Sequence, residues 1–309
     1  MIARRRLLAA APVAALFAHV GVRSLAGLAA PATPAASPVA GGYAQPDWLV
    51  APDWLQSHLP DPSLTVVALT PAADFAKGHV PGAAQIDWSA LNLADTSDAA
   101  IAKWEGDIET KLTRLGLAPI DSVVVYDGGT LYAPRLWWIL RQLGQRDVRV
   151  LNGGEPAWSA AGAPVETGPS RVQPAAQPYR GKPDPSSLAT LVEVEAALGK
   201  PNAILVDARS PREYEAGHIP GAVNVEFTRN ARAANPKTWL PAADLKTMYA
   251  AAGVTPNKRV IPYCSTGVRS ATTLFTLLLL GYPDVALYTG SWQEWSAHSE
   301  LPRATGPKP

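Results

Sequence analysis

The chain has very little cysteine, and that scarcity excludes several kinds of site. Among 309 residues the only cysteine is Cys264, so neither an internal disulfide nor a metal site of several cysteines can form. The five histidines show no HxH or HxxxH spacing, which disfavours a zinc site. The charge is nearly balanced, with 27 basic and 26 acidic residues. There is therefore no overall field to attract nucleic acid or an anionic membrane.

The N-terminus has the composition of an export signal. Arg4, Arg5 and Arg6 precede an Ala/Leu/Val-rich run, and small residues and prolines follow. We expect residues 1–42 to be an export signal with a small-residue linker, since this order of segments is typical of a cleavable signal. The paired arginines suit the twin-arginine route, which predicts an exported, periplasmic protein. The alternative is an uncleaved anchor at a lipid surface, because the apolar run is short for a membrane span.

The chain contains one sequence pattern twice. The segment 76–89, AKGHVPGAAQIDWS, matches 216–228, AGHIPGAVNVEFT. The segment 122–159 matches 259–296 without gaps, at a constant offset of 137 (259 minus 122). A repeat of this length predicts two copies of one domain.

The repeat gives the expected domain limits and the fold class. We expect a first domain at 43–165, a Pro/Gly-rich linker at 166–187, a second domain at 188–303 and a tail at 304–309. In each copy, apolar β-prone stretches alternate with helical ones. The second copy, for example, has predicted strands at 203–209, at RVIPY before Cys264, and at 284–290. This alternation predicts an α/β fold in which each domain is a mainly parallel sheet flanked by helices.

What both copies share is expected to be scaffold. The motif GHxPGA occurs in both, so His79 and His218 are expected to hold a turn through ring hydrogen bonds. The copies differ at the stretch YCSTGVRSA, where the first copy has Asp127 in the place of Cys264. An aspartate there can cap a helix but cannot act as a sulfur nucleophile. The first copy is therefore expected to be inactive.

The stretch that follows Cys264 has the composition of an anion site. Gly267 allows a tight backbone path, and the amides of residues 265–269 can point inward as an anion-binding nest. The N-terminus of the next helix and the charge of Arg269 both favour the thiolate of Cys264 over the thiol. Such a thiolate is suited to attack electrophilic sulfur or phosphorus. The alternative is that Cys264 is a small buried hydrophobic residue.

Together these motifs resemble the tandem rhodanese-domain sulfurtransferases, the family of thiosulfate and 3-mercaptopyruvate sulfurtransferases. The resemblance covers residues from about 45 to 303 and is carried by VDARSPREYEAGHIPGAVN, YCSTGVRSA, DVALYTGSWQEWS, GHVPGA and LYAPRLWW. It implies two rhodanese-like domains, an inactive first and a catalytic second, with the active site at the cleft between them. It also implies a persulfide on Cys264 and no metal or organic cofactor.

The resemblance further implies roles for individual residues. The loop expected to bind the persulfide consists of Ser265, Thr266, Gly267, Val268 and Arg269. Arg209 ends the strand VDAR and is expected to bind the anionic donor, with a salt bridge to Asp207 or Glu213 as the alternative. Tyr132 is a candidate for the cleft, with core packing as an equal alternative. Arg135, in the same stretch, is expected to form an ion pair at the domain interface.

The sulfur donor stays open between two compounds. By the resemblance, thiosulfate enzymes usually carry two basic residues directly after the cysteine, where this chain has Ser265 and Thr266. Mercaptopyruvate enzymes have small neutral residues at these positions, as this chain does. They also have a D-x-D motif, where this chain has Asp87-Trp88-Ser89, and a threonine at the end of the loop, where this chain has Arg269. We favour thiosulfate as donor, with 3-mercaptopyruvate as the alternative, and cyanide or a thiol as acceptor.

Two further functions stay open at this point. One is a cysteine phosphatase, since such enzymes share the rhodanese fold. They need the motif Cys-x5-Arg, whereas Cys264 and Arg269 form Cys-x4-Arg, and the shorter loop fits more tightly around a sulfur atom. The other alternative is an exported persulfide carrier or sulfur-relay protein with little turnover. We expect a monomer that binds no nucleic acid and has no stable membrane span after processing.

Overall fold

The computed structural model describes residues 41–309, which include both repeats. The expected export signal at 1–42 lies almost entirely outside these residues and stays a prediction. Within 41–309, no helix combines the length and the apolar character needed to cross a bilayer. The same residues contain no group of three or more His, Cys, Asp or Glu side chains that could hold a metal ion.

The first domain is built on a five-stranded parallel sheet. Its strands are β1 (Leu49–Val50), β2 (Leu64–Leu69), β3 (Ala84–Ile86), β4 (Ser122–Tyr126) and β5 (Val148–Leu151). Their order is β1-β5-β4-β2-β3, and every neighbouring pair is parallel. The helices are α1 (Pro52–His58), α2 (Ala72–Phe75), α3 (Asp98–Arg114), α4 (Ala133–Gln142) and α5 (Gly154–Ala160). The apolar run VVVY of β4 is buried because helices cover both faces of the sheet.

The second domain repeats this order of elements. Its strands are β6 (Ala203–Asp207), β7 (Val223–Asn224) and β8 (Arg259–Tyr263). Its helices are α6 (Leu191–Ala197), α7 (Pro211–Ala216), α8 (Ala242–Ala251), α9 (Val268–Leu279) and α10 (Ser291–Ala297). The strand order β7-β6-β8 matches β3-β2-β4 of the first domain. The predicted α/β class, with mainly parallel sheets flanked by helices, is therefore confirmed.

The strand predicted at 284–290 is only partly formed. It contacts its neighbours through isolated parallel bridges, Val260 with Val285 and Leu188 with Leu287. The cause lies in β8, where Pro262 stands in the middle of the strand and has no N–H to donate. The Pro262 carbonyl still accepts from the Tyr288 N–H at 3.1 Å, so the segment keeps its place at the sheet.

The two histidines of the repeated GHxPGA motif hold equivalent turns. Nδ1 of His79 lies 2.9 Å from the Phe75 carbonyl oxygen, and Nδ1 of His218 lies 2.9 Å from that of Tyr214. Each ring stacks on the aromatic ring of the same partner, with centroids 3.7 Å apart. The predicted scaffold role of both histidines is confirmed.

The linker at 166–187 packs along the first domain. Tyr179 is fully buried within it, and its hydroxyl donates to Oε1 of Gln145 at 2.9 Å. The Lys182 N–H donates to the Leu143 carbonyl at 2.8 Å. A stretch rich in Pro and Gly has no apolar periodicity, so the sequence did not indicate this packing.

The segment expected as a tail, 304–309, is held against the second domain. Ala304 and His218 exchange backbone hydrogen bonds of 2.9 Å as an antiparallel bridge. The Gly306 N–H donates to the carbonyl of Glu215 on α7 at 2.8 Å. The second domain thus extends beyond its expected limit at residue 303.

The two domains share one apolar core where α4 packs against α9. The largest cluster of buried apolar residues contains side chains of both domains. Phe275 on α9 meets Trp137 on α4 edge to face, with ring centroids 4.9 Å apart, and Trp239 at 5.4 Å. Pairs of this kind add about 0.5–1.5 kcal/mol each to the stabilisation from burial. The domain arrangement is therefore fixed by side-chain packing.

Thr96 forms a polar connection between the domains. Its backbone N–H and its hydroxyl donate to Oε1 and Oε2 of Glu294 on α10, at 2.6 Å and 2.8 Å. The same hydroxyl oxygen accepts from the Leu191 N–H at 2.8 Å, at the start of α6. Thr96 and Glu294 are both buried. Each bond therefore replaces hydration that these groups lost on folding.

We predict that Thr96→Ala lowers the free energy of unfolding by about 1–3 kcal/mol, because it leaves the buried Glu294 carboxylate and the part-buried Leu191 amide short of a partner. Urea unfolding measures the change. Thr247→Ala is the control, because the exposed Thr247 hydroxyl bonds only to the Ala243 carbonyl of its own helix. Equal losses in the two variants would contradict this account.

Candidate active site

Cys264 lies at the carboxyl end of β8, directly before the loop that leads into α9. Its side chain is fully buried, and Sγ accepts a hydrogen bond from the Gly267 N–H at 3.2 Å. The Cys264 N–H donates to Oγ of Ser291 at 3.1 Å, and its carbonyl accepts from the Trp292 N–H at 3.0 Å. The start of α10 therefore fixes the backbone of the cysteine, while the loop itself reaches the sulfur.

Gly267 gives the loop its path. It precedes α9 with φ of +80°, a conformation that side chains disfavour. A Cβ at this position would lie 2.7 Å from the carbonyl oxygen of Thr289, closer than real Cβ contacts allow. With this conformation the Gly267 N–H points at the sulfur of Cys264, and α9 begins at the next residue. That helix end carries partial positive charge, which favours an anion there.

The first domain shows how a loop of this length can hold an anion. Asp127, at the position equivalent to Cys264, is buried, and Oδ1 accepts from the amides of Gly129 at 2.7 Å and Thr130 at 2.9 Å. Oδ2 accepts from the Ala133 N–H at 2.7 Å, at the start of α4. The predicted capping role of Asp127 is therefore confirmed. Its carboxylate thus engages four amides of its own loop and of the start of α4, including that of Leu131 at 3.3 Å.

The loop of the second domain takes a different path and keeps donors free. Positive φ occurs at Gly129 and Leu131 in the first loop but at Gly267 in the second. Within residues 41–309, the amides of Thr266 and Val268 find no acceptor, whereas that of Gly267 meets the sulfur. Free amides beside a buried sulfur are suited to bind an anion.

Arg269 is held at the rim of this loop by a carboxylate. Its Nη1 and Nη2 donate to the two oxygens of Glu213 at 2.9 Å and 2.8 Å, and Nη2 also donates to Oγ of Ser265 at 2.7 Å. The hydrogen bonds from Arg269 lower the pKa of Glu213 to about 2. The same bonds raise the pKa of Arg269 above its usual value. The guanidinium is therefore a fixed charge, partly neutralised by Glu213.

Arg209 is buried in an ion pair, the alternative to its expected donor-binding role. Its Nη2 donates to Asp207 and to the Gly217 carbonyl, both at 2.6 Å, and Nε donates to Asp207 at 3.0 Å. The guanidinium also lies over the ring of Trp292, 4.9 Å from its centroid. The Arg209 N–H also donates to Oδ1 of Asp207 at 2.9 Å, so an Asx turn directly after β6 brings the two side chains together. The geometry favours the salt bridge over donor binding.

Tyr132 occupies the domain boundary near the sulfur. Its half-buried ring packs against Trp88 of the first domain and Phe227 of the second, with centroids 5.8 Å and 6.1 Å apart. Burial raises the pKa of Tyr132, and the positive charge of Arg269 opposes this shift. The side chain therefore combines packing with a position near the reactive loop.

Arg135 does not form the expected ion pair. Its side chain is fully buried, and Nη2 donates to the Leu91 carbonyl oxygen at 2.8 Å. The guanidinium lies over Trp138, 4.9 Å from the ring centroid. Within residues 41–309, no carboxylate lies within ion-pairing distance of Arg135. The prediction of an ion pair was wrong because the apolar core of α4 surrounds the side chain.

Sequence reasoning missed two residues that build this site. Glu213 was considered only as a partner of Arg209, although its carboxylate holds Arg269. Ser291 has φ of +57° and accepts from the Cys264 N–H, yet nothing marked it beforehand. The stretch YTGSWQEWS carries a usable signal, because a Gly-Ser pair between a strand and a helix often indicates an unusual turn.

The comparisons with known proteins agree with this geometry. The family model described as rhodanese-like domain matches residues 51–161 and again residues 190–298. The chain is 34% identical over 289 residues to the sulfur carrier protein TtuD of Thermus thermophilus, covering 86% of this chain and 99% of that protein. It is 34% identical over 263 residues to a thiosulfate sulfurtransferase of Pseudomonas aeruginosa, covering 82% and 96%. The crystal structure of SseA from Escherichia coli, a 3-mercaptopyruvate sulfotransferase, superposes with a TM-score of 0.70 at 30% identity, covering 80% and 99%.

We predict that Gly267→Ala lowers the free energy of unfolding by more than the roughly 1–2 kcal/mol of a left-handed backbone, because its Cβ also meets Thr289. It should also slow the alkylation of Cys264 by iodoacetamide, since the Gly267 N–H is displaced from the sulfur. The control is Gly253→Ala, where φ is +74° and no atom lies within 4 Å of the added Cβ. Identical alkylation rates in the two variants would argue against this role of Gly267.

The pair of Glu213 and Arg269 predicts a pH dependence of stability. The pKa of Glu213 is about 2 in the folded chain, against ~4.3 when unfolded. The stabilisation is therefore complete above pH ~5 and is lost as the pH falls towards ~2. We expect Glu213→Gln to lower the free energy of unfolding by about 1 kcal/mol at pH 7, a small loss because the carboxylate is partly exposed. The loss should become smaller as the pH falls.

Urea unfolding at several pH values measures this loss. The control is Glu195→Gln, because Glu195 is exposed. A loss that is the same at every pH would contradict the prediction.

Proposed function

The chain belongs to the rhodanese family of sulfurtransferases, with two rhodanese-like domains, and on this premise we propose that Cys264 transfers sulfur as a persulfide, with thiosulfate as the donor. The observation that carries the proposal is the loop of residues 264–270. Its sulfur accepts from the Gly267 amide, and the amides of Thr266 and Val268 are free to bind an anion. Cyanide or a thiol is the acceptor.

The first half-reaction begins with the Cys264 thiolate. The thiolate attacks the outer sulfur of thiosulfate, so a bond forms between Sγ and that sulfur. The bond between the two sulfur atoms of thiosulfate breaks, and sulfite leaves with the electron pair. The Gly267 N–H and the N-terminus of α9 favour the attacking thiolate. The free loop amides then bind the negative charge of the outer persulfide sulfur.

The second half-reaction returns the free thiolate. Cyanide or an acceptor thiolate attacks the outer sulfur of the persulfide, and the bond to Sγ breaks with its electron pair on Cys264. The two half-reactions use the same loop in turn, so double-displacement kinetics are expected. The first domain supplies no sulfur nucleophile, because Asp127 stands in the equivalent place and Cys264 is the only cysteine of the chain.

Thiosulfate is supported by the charges around the loop. Arg209 is buried and engaged by Asp207 and Gly217, whereas Arg269, paired with Glu213, is partly exposed at the rim of the loop and is the accessible cation for an anionic donor. Thiosulfate is a compact dianion whose oxygens Arg269 and the hydroxyls of Ser265 and Thr266 can face. These side chains are half-exposed, while Cys264 beneath them is buried.

Two alternatives have their own support. The likeness to SseA favours 3-mercaptopyruvate as donor, with pyruvate rather than sulfite as the leaving group. The likeness to TtuD, named as a sulfur carrier protein, favours a carrier that is loaded and unloaded by other proteins. In each alternative Cys264 carries the persulfide. The alternatives therefore differ in the donor and in the rate of turnover, which an experiment separates.

We predict that the purified protein gains the mass of one sulfur atom when incubated with thiosulfate, and that it gains it faster than with 3-mercaptopyruvate. Intact mass spectrometry measures this. Cyanide should remove the added sulfur and release thiocyanate. Cys264→Ser is the control and should gain no mass, because the chain has no other cysteine.

The outcomes separate the three functions. Faster loading from 3-mercaptopyruvate would make that compound the donor and thiosulfate the alternative. Loading by neither compound, in a protein whose Cys264 still reacts with iodoacetamide, would contradict both enzymes. A carrier would then be tested by loading from a persulfidated partner protein.

A further inference from the structure

The first domain has a cavity of about 440 Å³ at the carboxyl ends of β2 and β4. Open α/β sheets bind their ligands at this edge, and the volume is that of a small-molecule site. The walls include the buried rings of Phe75 and Tyr126 and the exposed ring of Trp88. The proposed sulfur transfer uses none of these residues. The cavity therefore offers an apolar space, with one aromatic ring open to solvent, that has no role so far.

The repeat explains why this space is open. In the second domain the guanidinium of Arg209 lies over the ring of Trp292, 4.9 Å from its centroid. A Cβ at Gly217 would lie 3.0 Å from the same ring, so these groups are packed together. The first domain has Thr70 in place of Arg209 (70 plus 139, the offset of the GHxPGA motifs) and Glu155 in place of Trp292 (155 plus 137). Both replacements are smaller, and a cavity results.

The first domain also lacks the arginines of the second. Thr70 replaces Arg209, and Tyr132 replaces Arg269 (132 plus 137). The ring of Tyr132 lies at the domain boundary and meets Trp88 edge to face, with centroids 5.8 Å apart. Within residues 41–309, no arginine lines the cavity. The cations that face anions in the second domain therefore have no counterpart in the first.

Carboxylates dominate the charge of the cavity wall. Asp74 and Glu155 line the cavity, and the only cation among the described residues of the wall is Lys77. Nζ of Lys77 lies 2.7 Å from Oδ1 of Asp74, so these two charges offset each other. The Glu155 carboxylate accepts from the Ser159 hydroxyl and meets no cation within residues 41–309. The wall is therefore net negative and favours a positively charged ligand.

The hydroxyl of Thr70 is an unused polar group in the same wall. Thr70 is 9% exposed, and its Oγ1 has no hydrogen-bond partner within residues 41–309. Its carbonyl, by contrast, accepts from Nε2 of Gln85 at 2.6 Å. A Cβ at Gly128 would lie 3.7 Å from Oγ1, so the hydroxyl is near the loop that follows β4. Buried polar groups are generally paired, and this one is suited to accept from a ligand N–H.

We propose that this cavity binds an organic ammonium ion, an amine that is protonated at neutral pH and carried on an apolar body. The Glu155 carboxylate and the Thr70 hydroxyl accept from its N–H groups. The exposed ring of Trp88 attracts its charge through a cation–π contact. The rings of Phe75 and Tyr126 contact the apolar body. The first domain thus binds a cation at the place where the second has its arginines.

The test is a titration of the intact chain with 2-phenylethylamine, a protonated amine on an aromatic body, followed by NMR. Tryptophan labelled with nitrogen-15 at the indole gives one N–H signal per ring, and Trp88→Phe identifies the signal of Trp88. We expect that signal to shift in a saturable way. Phenylacetate, an anion with the same ring, and 2-phenylethanol, which is uncharged, should bind about tenfold more weakly or not at all.

Variants of the cavity wall assign the contacts. Glu155→Gln should weaken binding about two- to fivefold, the range for a partly exposed charge pair. Lys77→Met, which frees Asp74, should strengthen it about twofold. Thr70→Arg introduces the second-domain side chain and should abolish binding; Thr70→Val, which removes only the hydroxyl, is made alongside and should weaken it. The matched control is Glu195→Gln, an exposed carboxylate on α6, which should change nothing.

Three results would overturn the proposal. The Trp88 signal could show no saturable shift with 2-phenylethylamine. The affinities for phenylacetate or 2-phenylethanol could equal that for the amine, which would show that the cavity does not distinguish charge. The affinity could be unchanged in both Glu155→Gln and Thr70→Val, which would place the amine elsewhere. The titration is repeated in Cys264→Ser, where equal binding shows that the site is independent of sulfur transfer.

Discussion

The rest of the site depends on one contact, the hydrogen bond from the Gly267 N–H to the sulfur of Cys264. Cys264 is fully buried, so its sulfur meets groups of the protein and not solvent. The N-terminus of α9, which begins directly after Gly267, adds partial positive charge at the same place. Arg269 adds a charge that Glu213 holds in place. These groups face the sulfur only if the loop keeps one conformation. The contacts that hold the loop are therefore as necessary as its charges.

The close packing of the two domains serves the same constraint. Phe275 and Trp137 join α9 to α4, and the Thr272 hydroxyl bonds to the loop before α4. The helix that begins at the reactive loop is therefore clamped by the other domain along its length. A hinge at this boundary would separate α4 from α9. The continuous core and the Thr96 connection oppose such a hinge, because opening it would expose buried aromatic rings and a buried carboxylate.

The sequence revealed the scaffold and the candidate loop around Cys264 but few of the side chains that contact it. The repeat, the alternation of strands and helices, and the contrast between Cys264 and Asp127 predicted the family, the domain order and the reactive loop. Contacts between distant segments were less accessible: Glu213 with Arg269, and Ser291 with Cys264, join residues whose proximity depends on the folded sheet. Arg209 could have been assigned better, since Asp207 precedes it by two residues, the spacing at which an aspartate side chain forms a turn with the backbone. Arg135 could not, because the burial of a charge is visible only once its surroundings are known.

The carboxylate of Asp127 has a consequence for the stoichiometry of the chain. It permanently occupies the anion position of the first loop through bonds to Gly129, Thr130 and Ala133. Even a sulfur-containing anion supplied in excess would have to displace a covalently attached competitor from that loop. The first loop therefore has no place for a second anion, although the fold is present twice. On the proposed function, each chain carries one sulfur atom, and the first domain contributes a loop that its own side chain already fills.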